Sequence, residues 1–516
     1  MFRQIASVGS LTLLSRISGF IRDIVIASVL GAGWMADAFV VAQRLPNHFR
    51  AIFGEGAFNA AFVPAYAKQL EDQGSRAAQL FASSLFRILL GFLSLITILA
   101  IVFMPHVVSW LAPGFSADPQ KFALAVALTR ITFPYLLFIS LVTLMSGMLN
   151  AHERFASAAF APVLLNLSII AALLVGSLFP STAHAAAWGV FGAGVLELLL
   201  VWIAAARINI LPSLLATSAE DSHKRAIRGF FKALGPAVVG SAGVQLAMFA
   251  DTIIASMLPT GAVASLYYAD RVYQLPVGMI GIAAGTVLLP AMSRHWAAGQ
   301  PDRAHLAQNQ AMAMTLALSM PFVIAFVLVP DAIMRGLFMR GAFDAAAASN
   351  AAAVLAAYTI GLPAVVLIRS AVSSFHARSD TTTPVIASFA GIAVNILLKI
   401  MLAQSWGAAG LAFATAIGAW INFGLLVLLA LRRGWMVPDS TLGRWLLGIG
   451  LSACVMFALL QASLPLVAQW SGQWTSASNE MELAGLAVIG LVAYALPLLV
   501  MVKLLRLDPR LTRQTS

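Results

Sequence analysis

Apolar stretches long enough to cross a bilayer recur along nearly the whole 516-residue sequence. A transmembrane helix needs about 20 mostly apolar residues, and no polar segment between the stretches has room for a soluble domain of ordinary size. Hydrophobic residues make up 60% of the chain and charged residues 10%, whereas soluble globular proteins carry about 25% charged residues. The sequence therefore predicts an all-α polytopic membrane protein.

The apolar pattern predicts fourteen transmembrane helices, the first of them a retained helix because no small-residue cleavage site precedes Ser15. Their predicted ranges are 5–29, 33–66, 78–110, 121–150, 155–179, 184–207, 228–257, 263–294, 305–334, 346–375, 382–404, 408–431, 441–465 and 482–505. The loops on one face carry most of the Lys and Arg, and the opposite loops carry Lys121, Arg335 and Arg340. The positive-inside rule then puts both termini in the cytoplasm. This bias also accounts for the net charge of +11, and no basic soluble domain is present to suggest nucleic-acid binding.

One segment, residues 15–58, is apolar enough to lie in a membrane and yet contains seven charged residues. These are Arg16, Arg22, Asp23, Asp37, Arg44, Arg50 and Glu55. Each charge at a helix centre costs about 2.5–3.5 kcal/mol, so seven facing lipid would threaten insertion. We therefore predict that they face a wet interior. Pro46 is expected to break the second helix, and the Gly-Glu-Gly at 54–56 supplies a second flexible point.

The two halves of the chain contain a repeat. Residues 23–33 (DIVIASVLGAG) match residues 251–261 (DTIIASMLPTG) at six positions, and Asn166 has a counterpart in Asn395. Both copies begin on a helix that runs outward from the cytoplasm, and such parallel repeats are typical of secondary transporters with a substrate site at the repeat interface. The predicted division is an N-terminal six-helix lobe (1–209), a cytoplasmic linker (210–227), a C-terminal six-helix lobe (228–432), and two extra helices with a cytoplasmic tail (433–516).

The second repeat adds Asp270 and Arg271, within YYADRVYQLP, to the charged residues of the first two helices. Together these groups contain one more arginine than carboxylates. Because arginine makes bidentate, permanently charged contacts to phosphate, an arginine-rich cavity predicts an anionic substrate such as a phosphate or pyrophosphate. The alternative is that these charges pair with one another and hold helices together.

Other chemistries have little support in the sequence. The single cysteine, Cys454, lies in an apolar run, and the eight histidines are scattered without ligand spacing. We therefore expect no metal site and no cofactor. A membrane-embedded enzyme acting on a polyprenyl phosphate remains an alternative, but no acid-base cluster supports it. The absence of GxxxxGK[ST] argues against ATP hydrolysis and leaves the energy source open.

Three motifs resemble the MurJ (MviN) family of lipid II flippases, in the multidrug/oligosaccharidyl-lipid/polysaccharide exporter superfamily. They are SRISGFIRD at 15–23, DAFVVAQRLPNHFRAIFGEGAFNAAFVP at 37–64 and YYADR at 267–271. The resemblance implies a transporter, not an enzyme, in the bacterial inner membrane. It would move lipid II, the undecaprenyl-pyrophosphate-linked peptidoglycan precursor, to the outer leaflet by alternating access, and so serve cell-wall biogenesis and cell shape.

The resemblance also implies roles for individual residues. Arg16, Arg22, Arg50 and Arg271 match arginines near the pyrophosphate, and Asp37 matches an essential aspartate that we also expect to bind the substrate. Supporting or gating roles are expected for Asp23, Arg44, Glu55, Asp270 and Gln274. The last two helices are expected to shape a groove for the polyprenyl tail. We expect a monomer, with cell-wall synthesis proteins as candidate partners.

The sequence departs from the family pattern in three places. Arg44 replaces an expected lysine, and Gln274 stands where some members have glutamate. Lys399 stands where a sodium-binding member would need a carboxylate, so we predict an ion pair between Asp251 and Lys399 instead of a sodium site. A flippase for another polyprenyl-linked saccharide and a cation-coupled drug exporter remain alternatives, although a drug exporter should favour acidic and aromatic cavity residues.

Overall fold

The computed structural model describes residues 2–50, 57–215, 221–474 and 477–505, with side chains for all of these except residues 2–7, 57, 239–244 and 282–287. In these ranges the regular structure is entirely helical. The α-helices are α1 (Phe2–Leu30), α2 (Trp34–Arg50), α3 (Ala57–Val102), α4 (Met104–Leu111), α5 (Pro119–Thr132), α6 (Tyr135–Ala151), α7 (Phe155–Leu174), α8 (Thr182–Ala206), α9 (Asp221–Ser256), α10 (Ala262–Ala297), α11 (Pro301–Leu328), α12 (Pro330–Phe338), α13 (Ala345–Thr359), α14 (Leu362–His376), α15 (Thr382–Arg432), α16 (Ser440–Ser471) and α17 (Ser478–Leu504). Short 3-10 helices lie at Pro113–Ala117 and Gly176–Leu178.

The described helices fit the predicted polytopic membrane fold. Nine helical segments in the described ranges are long and apolar enough to span a bilayer. Two of these segments combine α5 with α6 and α13 with α14. Two others, α3 and α15, are interrupted at Gly74 (φ 82°) and Gly407 (φ 54°). Positive φ favours glycine, which has no Cβ. The predicted first helix corresponds to α1, and the predicted second helix corresponds to α2 together with the part of α3 before Gly74. The predicted seventh and eighth helices correspond to α9 and α10. The all-α polytopic prediction is confirmed.

The prediction that Pro46 breaks the second helix was wrong, because α2 continues through it to Arg50. Proline has no N–H to donate to the carbonyl four residues earlier, which here belongs to Ala42. The Thr132 hydroxyl of α5 donates to that carbonyl oxygen at 2.7 Å. A partner from a neighbouring helix therefore replaces the missing backbone donor, as is typical of prolines tolerated in membrane helices.

The chain forms two compact units, Met1–Ala264 and Ser265–Ser516. The first unit includes α9, the helix that the repeat assigns to the second half, and the first turn of α10. In this unit α1 packs on α7, α2 on α5, and α6 on α8. The predicted lobe boundaries were inferred from the sequence repeat, whereas the compact units are defined by contacts within the structure. The lobe boundaries therefore stay a prediction.

The linker between the repeats is fixed to α3 over its first residues. Gln79 Nε2 donates to the Leu211 carbonyl oxygen at 2.7 Å, and the Ser213 amide donates to Ser83 Oγ at 2.9 Å. Further along, His223 Nε2 lies 3.0 Å from Ser84 Oγ. These contacts attach the linker to the part of α3 that follows the interruption at Gly74.

In the second unit, α16 and α17 pack along each other and against α11 and α12. The Tyr494 hydroxyl of α17 donates to the Ala317 carbonyl oxygen of α11 at 2.8 Å, and both residues are buried. At the other end of α17, Glu480 forms an ion pair with Arg340 at 3.2 Å. The two extra helices are therefore an integral part of this unit.

Candidate functional site

Arg22 on α1 is buried and held by two acceptors. Its Nε and Nη2 donate to Asp23 Oδ1 at 3.0 and 2.7 Å, and its Nη1 donates to Asn166 Oδ1 of α7 at 2.9 Å. Asn166 Nδ2 in turn donates to the Ser15 carbonyl oxygen and to Ser18 Oγ. Two acceptors therefore fix the plane and direction of the guanidinium.

A glycine permits this contact between α1 and α7. A Cβ at Gly19 would lie 3.4 Å from Asn166 Nδ2, so the amide fits closely against the backbone of α1. Arg16, one turn earlier on α1, is exposed. Intramembrane arginines that are oriented in this way can bind a phosphate group, because phosphate accepts the same fork of N–H donors as a carboxylate.

Asp37, on the first turn of α2, is fully buried and accepts three hydrogen bonds. Lys121 Nζ of α5 donates to Oδ2 at 2.6 Å, and the Gly261 amide donates to the same oxygen at 2.8 Å. The Ala264 amide donates to Oδ1 at 2.9 Å. The last two donors belong to the start of α10, where unpaired N–H groups and the helix dipole favour an anion. Asp37 therefore caps α10 from a different helix.

Two glycines bring the backbone around Asp37 into close contact. A Cβ at Gly261, where φ is +93°, would lie 2.6 Å from the Ala32 carbonyl oxygen. A Cβ at Gly114 would lie 2.1 Å from the Ser256 carbonyl oxygen. We call this group of contacts, which joins Ala32, Asp37, Gly114, Lys121, Ser256, Gly261 and Ala264 within the first unit, the clasp.

The remaining predicted residues of the second helix lie further along α2. Arg44 Nη1 lies 3.5 Å from Thr252 Oγ1 of α9, a long and weak contact. Arg50 is half-buried at the last residue of α2. Glu55 lies outside the described residues. The structure thus brings Arg22 together with Asp23, and α2 carries Asp37, Arg44 and Arg50 in order along its length.

The second unit contains the three predicted residues of α10. Arg271 lies over the Tyr267 ring with its guanidinium carbon 4.7 Å from the centroid, a cation–π contact. Gln274 Nε2 donates to Asp270 Oδ1 at 3.3 Å, one turn away. Gln274 therefore bonds to a carboxylate of its own helix, and its side chain is exposed.

The predicted pair of Asp251 and Lys399 stays a prediction. Asp251 belongs to the first unit and is half-buried, and Lys399 belongs to the second unit and is 1% exposed. Among the described residues, no group of three or more His, Cys, Asp or Glu side chains could hold a metal ion.

An apolar groove runs between α16 and α17. One part measures 640 Å³ and the adjoining part 500 Å³. The side chains that line both parts are Ser463, Leu466, Val488 and Ile489. A groove of this composition suits a hydrocarbon chain, because burying each CH₂ contributes about 0.8 kcal/mol.

Sequence reasoning missed two residues of this arrangement. Lys121 was counted only as a loop cation, although it is 4% exposed and bonded to Asp37. Asn166 is identified in the sequence only as the counterpart of Asn395 in the repeat, and no role is predicted for it. Asp37 pairs with Lys121 of another helix, and Arg22 pairs with Asp23 of its own helix, so the predicted roles of these residues stay predictions.

Comparison with known proteins identifies relatives along nearly the whole chain. A Rhizobium meliloti protein named probable lipid II flippase MurJ is 38% identical over 501 residues, covering 96% of this chain and 92% of its own length. A Burkholderia cenocepacia protein named lipid II flippase MurJ is 34% identical over 461 residues and covers 89% of each chain.

Solved structures share the fold. A lipid II flippase MurJ in an inward closed conformation superposes with a TM-score of 0.81 at 24% identity, covering 97% of this chain and 99% of its own. An inward-facing multidrug MATE transporter of the MOP superfamily superposes with a TM-score of 0.68 at 14% identity, covering 83% of this chain and 97% of its own. The family model described as lipid II flippase MurJ matches residues 26–479. With relatives of this identity and coverage, the chain belongs to the MurJ family of lipid II flippases.

Proposed function

We propose that the protein moves lipid II from the inner to the outer leaflet of the bacterial cytoplasmic membrane by alternating access. The observation that carries this proposal is the family match over residues 26–479, which relatives named lipid II flippase support over most of their length. In this proposal the protein is a transporter that needs no cofactor, acts as a monomer and has both termini in the cytoplasm. Cell-wall synthesis proteins are its candidate partners.

The pyrophosphate of lipid II is the group that Arg22 is suited to bind. Arg22 already presents three N–H groups to oxygen acceptors on Asp23 and Asn166. A pyrophosphate oxygen can replace the carboxylate, since both accept the same fork of donors. In this proposal Arg16, Arg50 and Arg271 add further positive charge to the headgroup site, and Asp23 takes Arg22 back when the substrate leaves.

The groove between α16 and α17 is the proposed site of the polyprenyl tail. It is lined mostly by aliphatic side chains, together with Trp470 and Ser463. The tail would then stay in an apolar environment while the headgroup crosses. In this proposal the last two helices hold the tail while other helices surround the headgroup.

The clasp is the proposed gate on the outward face. Asp37 holds the first turn of α10 through two backbone N–H groups, and neither bond requires a particular side chain on α10. Releasing the carboxylate from these amides frees that turn, while Asp37 keeps Lys121 as its partner. Asp37 can thus exchange partners without becoming an unpaired buried charge, which would cost several kcal/mol.

Depletion in cells tests the proposal. The protein is made the only lipid II flippase of a bacterial strain under a repressible promoter, and a membrane-impermeant enzyme that degrades lipid II is added from outside. We expect the fraction of lipid II that is degraded to fall as the protein is depleted, with lipid II accumulating inside before lysis. If the degraded fraction of lipid II does not change and another polyprenyl-linked saccharide accumulates, lipid II is not the substrate. That result would favour a flippase for the other saccharide.

Arginine variants in the same strain test the headgroup site. Arg22→Ala should abolish exposure of lipid II while the protein still inserts in the membrane. Arg154→Ala is the matched control, because Arg154 is an exposed residue at the start of α7. Normal exposure with Arg22→Ala would contradict the role of Arg22 and leave the family assignment intact.

A further inference from the structure

Lys121 is fixed in both its backbone and its side chain. Its amide donates to Asp118 Oδ1 at 3.1 Å, where that carboxylate caps the start of α5. Its ammonium lies 2.6 Å from Asp37 Oδ2 and 4.2 Å from the centroid of the Phe115 ring. A lysine so confined is unusual at a predicted loop position, because exposed lysines normally keep their ammonium in water.

The charge of Lys121 matters because Asp37 is 0% exposed. An ionised carboxylate that is buried without a counterion is destabilised by several kcal/mol. The two amides at the start of α10 supply part of the compensation, because a helix N-terminus favours a negative charge. The Lys121 ammonium, 2.6 Å from Asp37 Oδ2, is the positive charge bonded to this carboxylate within the clasp.

We propose that Lys121 is a positioning residue that sets the strength of the clasp by keeping Asp37 ionised. An ionised carboxylate makes hydrogen bonds to backbone N–H groups about twice as strong as a neutral acceptor does. Lys121 on α5 therefore controls, through Asp37 on α2, how firmly the first turn of α10 is held. Its importance for transport rests on the proposed function, but its effect on the clasp does not.

The geometry separates this role from simple packing. The aliphatic stem of Lys121 and the Phe115 ring would pack equally well with methionine at position 121, which removes only the charge. Arginine at that position keeps the charge. A packing role predicts that Lys121→Met is mild and that Lys121→Arg is disruptive, whereas the positioning role predicts the reverse order.

Opening of the clasp can be measured by cysteine labelling of the purified full-length protein. Val263, on the first turn of α10, is 1% exposed, so Val263→Cys reports release of that turn. The single native cysteine, Cys454, is exposed and is removed as Cys454→Ala. The labelling rate with a maleimide then follows the population of the open clasp.

We expect Lys121→Met to raise the labelling rate at least about tenfold, since losing one partner of a buried charge pair typically costs more than the 1.4 kcal/mol that corresponds to a factor of ten. Lys121→Arg should stay close to the parent protein. Gln120→Met, a neighbouring exposed position on the same turn, is the control. An unchanged rate with Lys121→Met would overturn the proposal.

A double-mutant cycle with Asp37→Asn provides the second criterion. If Lys121 acts through Asp37, Lys121→Met adds nothing to the labelling rate of Asp37→Asn, because the charge to be compensated is already absent. Additive effects would overturn the proposal, since Lys121 would then act independently. The assay needs no substrate, so a failure here leaves the lipid II result standing, and a negative lipid II result leaves this one standing.

Discussion

The hydroxyl of Thr132 donates a hydrogen bond to the carbonyl oxygen of Ala42, the acceptor that Pro46 leaves without a helical donor. A side chain of α5 thereby satisfies a backbone acceptor of α2. The helix continues past this bond, with Asp37 and Arg44 before Pro46 and Arg50 after it.

Thr132→Val removes the hydroxyl and keeps the shape of the side chain. We expect a loss of about 1–3 kcal/mol in the free energy of unfolding, the usual effect of leaving a buried polar group unsatisfied. Thermal unfolding in detergent measures the change. Thr129→Val is the control, because the Thr129 hydroxyl is equally buried but bonds to the Ala125 carbonyl of its own helix. Equal effects of the two variants would contradict a special role for Thr132.

Alanine at Gly114 or Gly261 should open the clasp. The added Cβ would lie 2.1 Å from the Ser256 carbonyl oxygen or 2.6 Å from the Ala32 carbonyl oxygen, and backbone atoms cannot move aside as a flexible side chain can. We expect lipid II exposure to fall and labelling at position 263 to rise. Gly33→Ala is the control, since nothing lies within 4 Å of the Cβ it would add. Normal exposure and labelling with either variant would contradict the importance of these contacts.

Asn166→Ala should impair transport by loosening Arg22. The guanidinium loses the Asn166 acceptor, and hydrogen bonds to charged groups contribute about 1.5–3 kcal/mol. We expect a fall in lipid II exposure with little change in membrane insertion. Ser168→Ala is the matched control on the same helix, because its hydroxyl bonds to the Gly189 carbonyl of α8 and not to α1. If the two variants behave alike, Asn166 serves only to pack helices.

Filling the groove between α16 and α17 should weaken binding of long polyprenyl chains. For Val488→Trp we expect about tenfold lower affinity for lipid II and little change for a short-chain analogue, since displacing two CH₂ groups already costs about 1.6 kcal/mol. Binding to purified protein measures both affinities. Leu491→Trp is the control, because Leu491 is 65% exposed and is absent from the groove lining. An equal loss for both ligands would exclude a selective tail site.

Asp380 connects the start of α15 to its end and makes stability depend on pH. Hydrogen bonds from the Thr383 hydroxyl and amide, and then from Arg433, lower the pKa of this carboxyl below its ordinary value. A lowered pKa means that the ionised form stabilises the fold above the unfolded-state pKa of about 3.9. That contribution disappears as the pH falls through the lower folded-state pKa.

Asp380→Asn should therefore be less stable than the parent protein at neutral pH and approach it as the solution becomes acidic below about pH 4. The difference should be about 1 kcal/mol or less, as for partly exposed ion pairs. Unfolding of both proteins at several pH values measures it. Asp302→Asn serves as a control carboxyl on the first turn of α11. A difference that does not vary with pH would contradict this account.

The sequence predicted the helical membrane fold because long apolar stretches are local features of the chain. It failed at Pro46, where the local rule predicts a break and a hydroxyl from α5 prevents it. It also recognised Asp37 without its partner, because nothing in the residues around Lys121 indicates that this side chain is buried. Predictions from spacing therefore worked within helices and failed where a distant residue supplies the missing bond or charge.

The attachment of the linker to α3 has a consequence for biosynthesis. Gln79 and Ser83, which bond to Leu211 and Ser213, precede the linker in the chain and are made before it. When residues 211–213 leave the ribosome, their partners are therefore already available in the membrane, and domains generally fold in the order of their synthesis. The linker can therefore bind α3 as soon as it is made, before α9 and the first turn of α10 complete the first compact unit.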